Sequence, residues 1–253
     1  MPYRSTMHPL VQPFDSEPLP PATSLESKAV LMHGVLGALL PLAIAVTISP
    51  IPIIAEILLL FTKKPVANAS AYLVGFIVGV GVVLGILVVV ANAIDLSKSG
   101  PSKGAGTLQL VVGVVLLVAA VRRFRSRPQS GEVAPSPKWM EGIDSFTPGR
   151  SLGIGAAIGA ANPKNIAVGI AGAVAISSAG LSTGQSIISI VVYIVIAALG
   201  VAAPLVVMVS LGDKAQGVLE SWKTWLGQNN ATVMAVLFLV FAVILIGRGV
   251  AGS

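Results

Sequence analysis

Six long apolar runs, separated by polar segments, dominate the pattern of residues along the chain. Each run reaches the lower limit of about 17 residues for a helix that crosses a membrane, the third only barely. In lipid the backbone must satisfy its own hydrogen bonds, so each run is predicted to be helical. The runs cover residues 35–61, 66–91, 104–121, 151–176, 186–211 and 231–250.

The first and fourth runs are interrupted near their middle by proline beside a small polar residue. The first contains Ser49, Pro50 and Pro52, and the fourth contains Asn162 and Pro163. Proline removes a backbone donor and clashes with the carbonyl one turn earlier. Each of these runs is therefore predicted to be a broken helix.

The two breaks belong to an internal repeat. Residues 72–79 of the second run align with residues 193–200 of the fifth, and the third and sixth runs both open with threonine and close on arginine. A unit with three crossings must be inverted in its second copy. The prediction is an all-α integral membrane protein with six transmembrane helices as two inverted three-helix repeats, over residues 31–121 and 151–253.

The composition excludes several classes of protein. Apolar residues make up 55% of the chain and charged residues only 10%, against about 25% charge in a soluble domain, so a soluble enzyme is excluded and no catalytic residue is expected. Cysteine is absent, and both histidines, His8 and His33, precede the first run. We therefore expect no metal site and no cofactor.

The net charge of +6 fits loops that set membrane topology better than it fits nucleic acid, for which no aromatic-basic pattern is present. Ten basic residues lie on one side of the predicted membrane, which should be cytoplasmic, and five on the other, with Lys164 inside a run. The ten are Lys63, Lys64, Arg122, Arg123, Arg125, Arg127, Lys138, Arg150, Lys214 and Lys223; the five are Arg4, Lys28, Lys98, Lys103 and Arg248.

This orientation places both termini outside a plasma membrane and residues 122–150 in the cytoplasm, as a basic linker between the repeats. Residues 1–30 are rich in proline and are predicted to be a disordered tail without a signal peptide. Met32 is an alternative start of translation, which N-terminal sequencing would decide. Residues 213–230 have apolar side chains and two tryptophans at helical spacing, which favours a short helix lying in the cytoplasmic interface.

The candidate site lies where the two breaks meet near the bilayer midplane. Freed carbonyls need partners or must line a wet cavity, and the first amides of a half-helix favour anions. The predicted substrate-binding residues are Ser49, Pro50, Pro52, Glu56, Asn162, Pro163, Lys164 and Asn165.

Lys164 and Glu56 are the two charged residues deep in these runs. A charge at that depth is expensive, so Lys164 should face the interior and have a partner. One hypothesis pairs Lys164 with Glu56. A second lets Lys164 bind a negative substrate headgroup while Glu56 relays protons, and a third turns Glu56 toward the cytoplasmic face near Lys63 and Lys64.

The Ser-Pro-Ile-Pro of residues 49–52 and the Gly-Ala-Ala-Asn-Pro-Lys-Asn of residues 159–165, together with six helices and a polar middle loop, resemble the GAP family. That group includes the glycopeptidolipid- and sulfolipid-addressing, Sap-like proteins of the LysE transporter superfamily. The resemblance covers about residue 35 to the C-terminus and implies movement of envelope glycolipids across or out of the plasma membrane. Glu56 is not part of the family pattern.

Other functions stay open at this stage. The chain could be a LysE-type exporter of amino acids or small ions, or a non-transporting accessory subunit of a larger lipid exporter. Expected partners are membrane lipid and either such an exporter or further copies of the chain, but not nucleic acid. No phosphate-binding loop of the Gly-x4-Gly-Lys-Ser/Thr type occurs, so an ion gradient, the membrane potential or a partner must drive any transport.

Overall fold

The chain folds into α-helices, and the part that the structure describes contains no strand. The computed structural model describes residues 24–94, 103–126 and 142–251. The prediction of an all-helical protein is confirmed. The helices are α1 (Ser24–Thr47), α2 (Pro50–Leu59), α3 (Pro65–Ala93), α4 (Lys103–Arg125), α5 (Pro148–Ala161), α6 (Pro163–Ser177), α7 (Thr183–Leu211) and α8 (Ala215–Ala251).

Three helical stretches in the described residues are long and apolar enough to cross a membrane. They are Ala29–Thr47, Pro65–Ala93 and Thr183–Ala251, the last of which takes in both α7 and α8. The helices α2 and α6 are apolar but shorter, as expected for the halves of interrupted helices. Helices of this length and apolar composition are typical of membrane-spanning segments, so the protein is membrane-embedded.

The first and fourth apolar runs are each divided into two helices, as predicted. Ser49 separates α1 from α2 and has extended backbone angles, φ −126° and ψ 98°. Asn162 separates α5 from α6 in the same way, with φ −71° and ψ 116°. Proline follows each of them because it fits the first position of a helix, where its missing N–H leaves no hydrogen bond unmade, and it holds the preceding residue extended.

The crossing of α3 and α5 depends on glycine. Gly75 and Gly79 of α3 face Gly155 and Gly159 of α5, and a Cβ atom at any of the four would fall against the backbone of the opposite helix. Small residues spaced four apart let two helix backbones approach closely, which is a common packing device in membranes. The two helices run parallel, with successive turns of one against successive turns of the other.

The crossing of α1 and α7 is similar. Gly200 of α7 lies against the Thr47 backbone at the end of α1. The Thr47 hydroxyl donates a hydrogen bond to the Ile196 carbonyl oxygen at 2.5 Å. Because this carbonyl lies one turn before Gly200, the contact fixes the height at which α1 ends relative to α7.

The last helix, α8, packs along α4 and also closes one end of the bundle. An apolar cluster joins its first turns to the end of α2 and the start of α3. The Lys223 amine lies 5.8 Å from the centre of the Phe61 ring. Exposed Lys63 and Lys64 follow Phe61 in the chain, so basic residues from two distant segments lie at the same end.

The prediction of a separate interfacial helix over residues 213–230 is wrong in one respect. These residues are helical, but from Ala215 they form the first part of α8, which continues without interruption to Ala251. No proline occurs in this stretch, and Gly217 and Gly227 each cost a helix only about 1 kcal/mol. At 37 residues α8 is about 55 Å long and exceeds the hydrocarbon thickness of about 30 Å.

Two of the predicted segments lie partly outside the described residues. For the predicted tail over residues 1–30, the structure describes only residues 24–30, and these belong to α1 rather than to a disordered segment. Within the predicted linker over 122–150, residues 127–141 lie outside the description. Its two ends are helical, because α4 extends to Arg125 and α5 begins at Pro148.

Candidate functional site

A cavity of about 620 Å³ lies where the two helix breaks come together. This volume is typical of sites for small organic ligands, which occupy roughly 300–1,000 Å³. Its wall consists of the start of α2, the last turns of α4 and α5, the start of α6 and the middle of α8. The lining residues are Ser49, Ile51, Ala119, Arg122, Arg123, Ser126, Ala157, Ile158, Ala161, Asn162, Pro163, Lys164, Asn230, Met234 and Phe238.

The predicted site residues divide into two groups. Ser49, Asn162, Pro163 and Lys164 line the cavity. The other four, Pro50, Pro52, Glu56 and Asn165, are buried but are not part of its wall.

Asn162 caps the half-helix α6. Its side-chain oxygen accepts a hydrogen bond from the Lys164 backbone N–H at 3.0 Å, so it satisfies one of the amides that a helix start leaves without a partner. Ser49 has the equivalent position before α2 but makes no side-chain capping bond. The start of α6 is thus held by its own sequence, whereas the start of α2 depends on surrounding contacts.

Lys164 joins the two breaks. Its amine donates to the carbonyl oxygens of Ala45, at 2.5 Å, and Ile48, at 3.4 Å. The Ala45 carbonyl belongs to the last turn of α1 and Ile48 directly follows that helix, where the break removes the helical partners of both carbonyls. The negative end of the α1 dipole also favours a cation there. Lys164 is only 1% exposed. The break between α5 and α6 therefore supplies the donor for the carbonyls left open at the break between α1 and α2.

The third residue after Ser49 and after Asn162 also takes part in a hydrogen bond that holds the break. Asn165 donates to the Gly159 carbonyl oxygen at 3.2 Å, in the last turn of α5. The Pro52 carbonyl oxygen accepts a hydrogen bond from the Tyr72 hydroxyl at 3.2 Å. Both residues are buried. These two hydrogen bonds hold the backbone of the breaks, and neither Asn165 nor Pro52 lines the cavity.

The predicted ion pair between Lys164 and Glu56 is absent from the structure. The Lys164 amine is engaged with α1, and neither carboxyl oxygen of Glu56 has a hydrogen-bond partner in the described part of the chain. Glu56 also does not turn toward the cytoplasmic face, since its side chain is fully buried. The pairing fails because the open carbonyls of α1 lie within reach of Lys164 and need a donor.

Several lining residues were not predicted. Arg122 and Arg123 were considered only as determinants of topology, yet the end of α4 brings both to the cavity. Asn230, Met234 and Phe238 come from α8, whose alignment against α4 was not predicted. The Asn230 side-chain oxygen is buried without a hydrogen-bond partner. A cluster of arginines directly after an apolar run was the available signal for the first two.

The arrangement can bind an amphipathic anion. Lys164, Arg122 and Arg123 offer positive charge, Asn230 offers an acceptor for a hydroxyl group, and Ile51, Ile158, Met234 and Phe238 offer an apolar wall. In the described residues no three carboxylate or histidine side chains come together as a metal site would require.

Replacing Asn162 with alanine should lower the free energy of unfolding by about 1 kcal/mol, because α6 loses its capping acceptor. Thermal unfolding of the purified protein in detergent measures this. Asn162→Ser is the matched control, since serine also caps helices and should recover most of the stability. Equal stability of the wild type and the alanine variant would show that the capping bond contributes nothing.

The chain was compared with known families and proteins. The family described as Sap, sulfolipid-1-addressing protein, matches residues 39–251, which include both breaks and every residue of the cavity wall. Neither a curated protein nor a solved structure matches the chain. The chain belongs to the Sap, sulfolipid-1-addressing protein family.

Proposed function

We propose that the protein exports an anionic or glycosylated lipid of the cell envelope, bound at the two helix breaks and exposed alternately to the two sides of the plasma membrane. The observation that carries the proposal is the cavity at the breaks, where basic and apolar residues stand together. An amphipathic lipid needs both kinds of surface, one for its headgroup and one for its chains. Membership of a sulfolipid-addressing family supports the same substrate class.

Alternate exposure requires two related halves, and the helix packing supports the predicted inverted repeat. In the repeat, α1 with α2 corresponds to α5 with α6, and α3 corresponds to α7. The crossing of α1 with α7 then corresponds to that of α5 with α3, and both are close glycine contacts: Gly200 against Thr47, and Gly79 against Ala160. Tyr72 and Tyr193, aligned in the sequence, are both fully buried. Six spans follow from this scheme.

The remaining features of the proposal concern direction and surroundings. The arginines of the cavity wall belong to the basic side of the predicted topology, so the binding site is open toward the cytoplasm in this conformation. Both termini are then outside. The protein performs no covalent chemistry, and it works on membrane lipid alone, as a homo-oligomer, or beside a larger exporter.

Lipid analysis of a strain that lacks the gene tests the proposal. The expected result is that one envelope lipid accumulates inside the cell and is depleted at the surface, with recovery when the gene is returned. An unchanged distribution of every envelope lipid would contradict export. Accumulation of an amino acid instead would favour the LysE-type exporter, and loss of a partner exporter from the membrane would favour the accessory role.

Replacing Arg122 with glutamine should weaken binding of an anionic lipid by about tenfold or more, since a hydrogen bond to a charged group contributes about 1.5–3 kcal/mol. Binding to vesicles that contain a fluorescent anionic lipid measures the change. Arg125→Gln is the matched control, because Arg125 lies on the same helix end but outside the cavity wall. Equal losses in both variants would mean that the cavity has no special role in binding.

A further inference from the structure

Glu56 is a buried acid without a partner, and the proposed binding site does not use it. Its side chain is fully buried on α2, and neither oxygen has a hydrogen-bond partner within the described residues. An unpaired carboxylate in a protein interior is far more costly than the neutral acid. The carboxyl group therefore carries a proton in this conformation.

On the helices around α2, no side chain that the structure describes provides a counter-ion for Glu56. The Tyr72 hydroxyl of α3 faces the same side of α2, because it bonds the Pro52 carbonyl one turn earlier. The residues of α7 and α8 that pack on this helix are apolar, among them Leu205, Met208 and Leu219. These neighbours favour the neutral acid.

The charged side chains on the helices near α2 are exposed or are bonded to groups other than Glu56. On α5, Arg150 is exposed, and on α8, Lys223 is half-buried and bonded to Glu220 at 2.6 Å. The remaining cation of the core is Lys164 of α6, which donates to the last turn of α1. Among the cations whose side chains the structure describes, only Lys164 is buried, and its amine is already engaged with α1.

Buried polar groups also lie on α3 between Tyr72 and the basic end of the bundle. Asn68 lies one turn before Tyr72 on α3 and donates to the Thr62 hydroxyl at 2.9 Å and the Phe146 carbonyl at 3.0 Å. The Asn68 side-chain oxygen and the Ser151 hydroxyl are buried without partners. The segment beside them carries exposed Lys63 and Lys64. The hydroxyl groups of Tyr72 and Thr62 mark the side of the bundle toward which we expect Glu56 to release its proton.

We infer that Glu56 is the proton-binding site through which a proton gradient drives the transport proposed above, on which this inference rests. In one state Glu56 is protonated and Lys164 is held by α1, available to a substrate anion. After the loaded site has turned outward, the proton leaves Glu56 toward the cytoplasm, and the carboxylate draws Lys164 away from α1 and from the substrate, which is released outside. A proton from outside then neutralises Glu56 and lets the empty site return, so one proton moves inward for each anion released outside.

The first test needs no substrate. Infrared spectra of the full chain in lipid nanodiscs, recorded in H₂O and D₂O, detect the C=O stretch of a protonated carboxyl group. We expect a band at neutral pH that is lost in Glu56→Gln and kept in Glu220→Gln, a matched change of an exposed acid. Absence of the band in the wild type, or its persistence in Glu56→Gln, would overturn the inference.

The second test measures coupling. Vesicles of phosphatidylcholine with a fluorescently labelled phosphatidylglycerol report movement of an anionic lipid between leaflets, with or without an imposed pH gradient. We expect the gradient to speed the wild type by about fivefold or more, within the usual range of coupling between two sites. Glu56→Gln, a neutral isostere of the protonated acid, should fold normally and move lipid at one rate in both conditions.

The outcomes separate the two proposals. A gradient response that persists in Glu56→Gln overturns the role of Glu56 while leaving lipid transport intact. A Glu56→Gln variant that fails to fold contradicts the neutral state assigned to Glu56. If the wild type moves no anionic lipid, the proposed function fails for this class, and the infrared band alone decides whether Glu56 binds a proton.

Discussion

Gly75→Ala should lower the free energy of unfolding by about 3 kcal/mol, the upper end for overpacking of a core, and reduce the amount of folded protein in the membrane. The added Cβ would collide with the Leu152 carbonyl oxygen and the Ala156 backbone nitrogen. Both atoms belong to the backbone of α5, so no side chain can turn aside to make room. The two helices must separate, and the close contacts that Gly79 and Gly159 each make with the opposite helix weaken as well.

Gly85→Ala is the matched control on the same helix. Nothing lies within 4 Å of the position that its Cβ would take, so the expected effect is a gain of about 0.5–1 kcal/mol from helix propensity. On α5 the same comparison uses Gly155→Ala against Gly153→Ala, which also has open space. Thermal unfolding followed by tryptophan fluorescence measures all four. Equal stability of Gly75→Ala and Gly85→Ala would contradict the close crossing.

The positions of the helix breaks could be predicted from sequence because their cause is local. Pro50 and Pro163 have no backbone N–H to donate to the carbonyl four residues earlier, and their rings clash with that carbonyl. Neither proline can therefore continue the preceding helix. Asn162 before Pro163 is a capping residue by chemistry alone, without reference to any other helix. Both breaks are found within one residue of the predicted positions.

The partner of Lys164 could not be predicted in the same way. Opposite charge pointed to Glu56, but the outcome depends on how α6 crosses α1 and on which carbonyls are open at that height. Similarly, Arg122 and Asn230 line one cavity only because α4 and α8 align in a particular register. Side-chain packing sets that register, and a pattern of apolar positions does not encode it.

The pattern of apolar and polar residues also did not predict the length of α8. The polar stretch around Asn229 and Asn230 indicated a boundary between an interfacial helix and a span. No proline stops the helix there, Gly227 and the two asparagines are accommodated within it, and contacts of its first turns with α2 and α3 stabilise it from outside the segment. Tertiary packing overrides weak local preference at such places.

Lys164→Met should reduce the proposed lipid export by about thirtyfold or more, the effect of removing one member of a buried charged contact. Methionine fills a similar volume but offers neither charge nor donor. The carbonyls of Ala45 and Ile48 would lose their partner, which costs about 1–3 kcal/mol of stability. The surface-to-interior ratio of the exported lipid, corrected for the amount of folded protein, measures the effect on transport.

Two further variants separate binding from structure. Lys164→Gln keeps a donor for the Ala45 carbonyl but not the charge, so stability should recover while export stays low. Ile166→Met changes a partly exposed position two residues along the same helix and should leave both unchanged. If Lys164→Gln restores export together with stability, the amine serves only to join the breaks, and the headgroup must bind to the arginines of α4. If Lys164→Met exports normally, Lys164 has no part in the mechanism, because a charge that binds the substrate cannot be removed without loss.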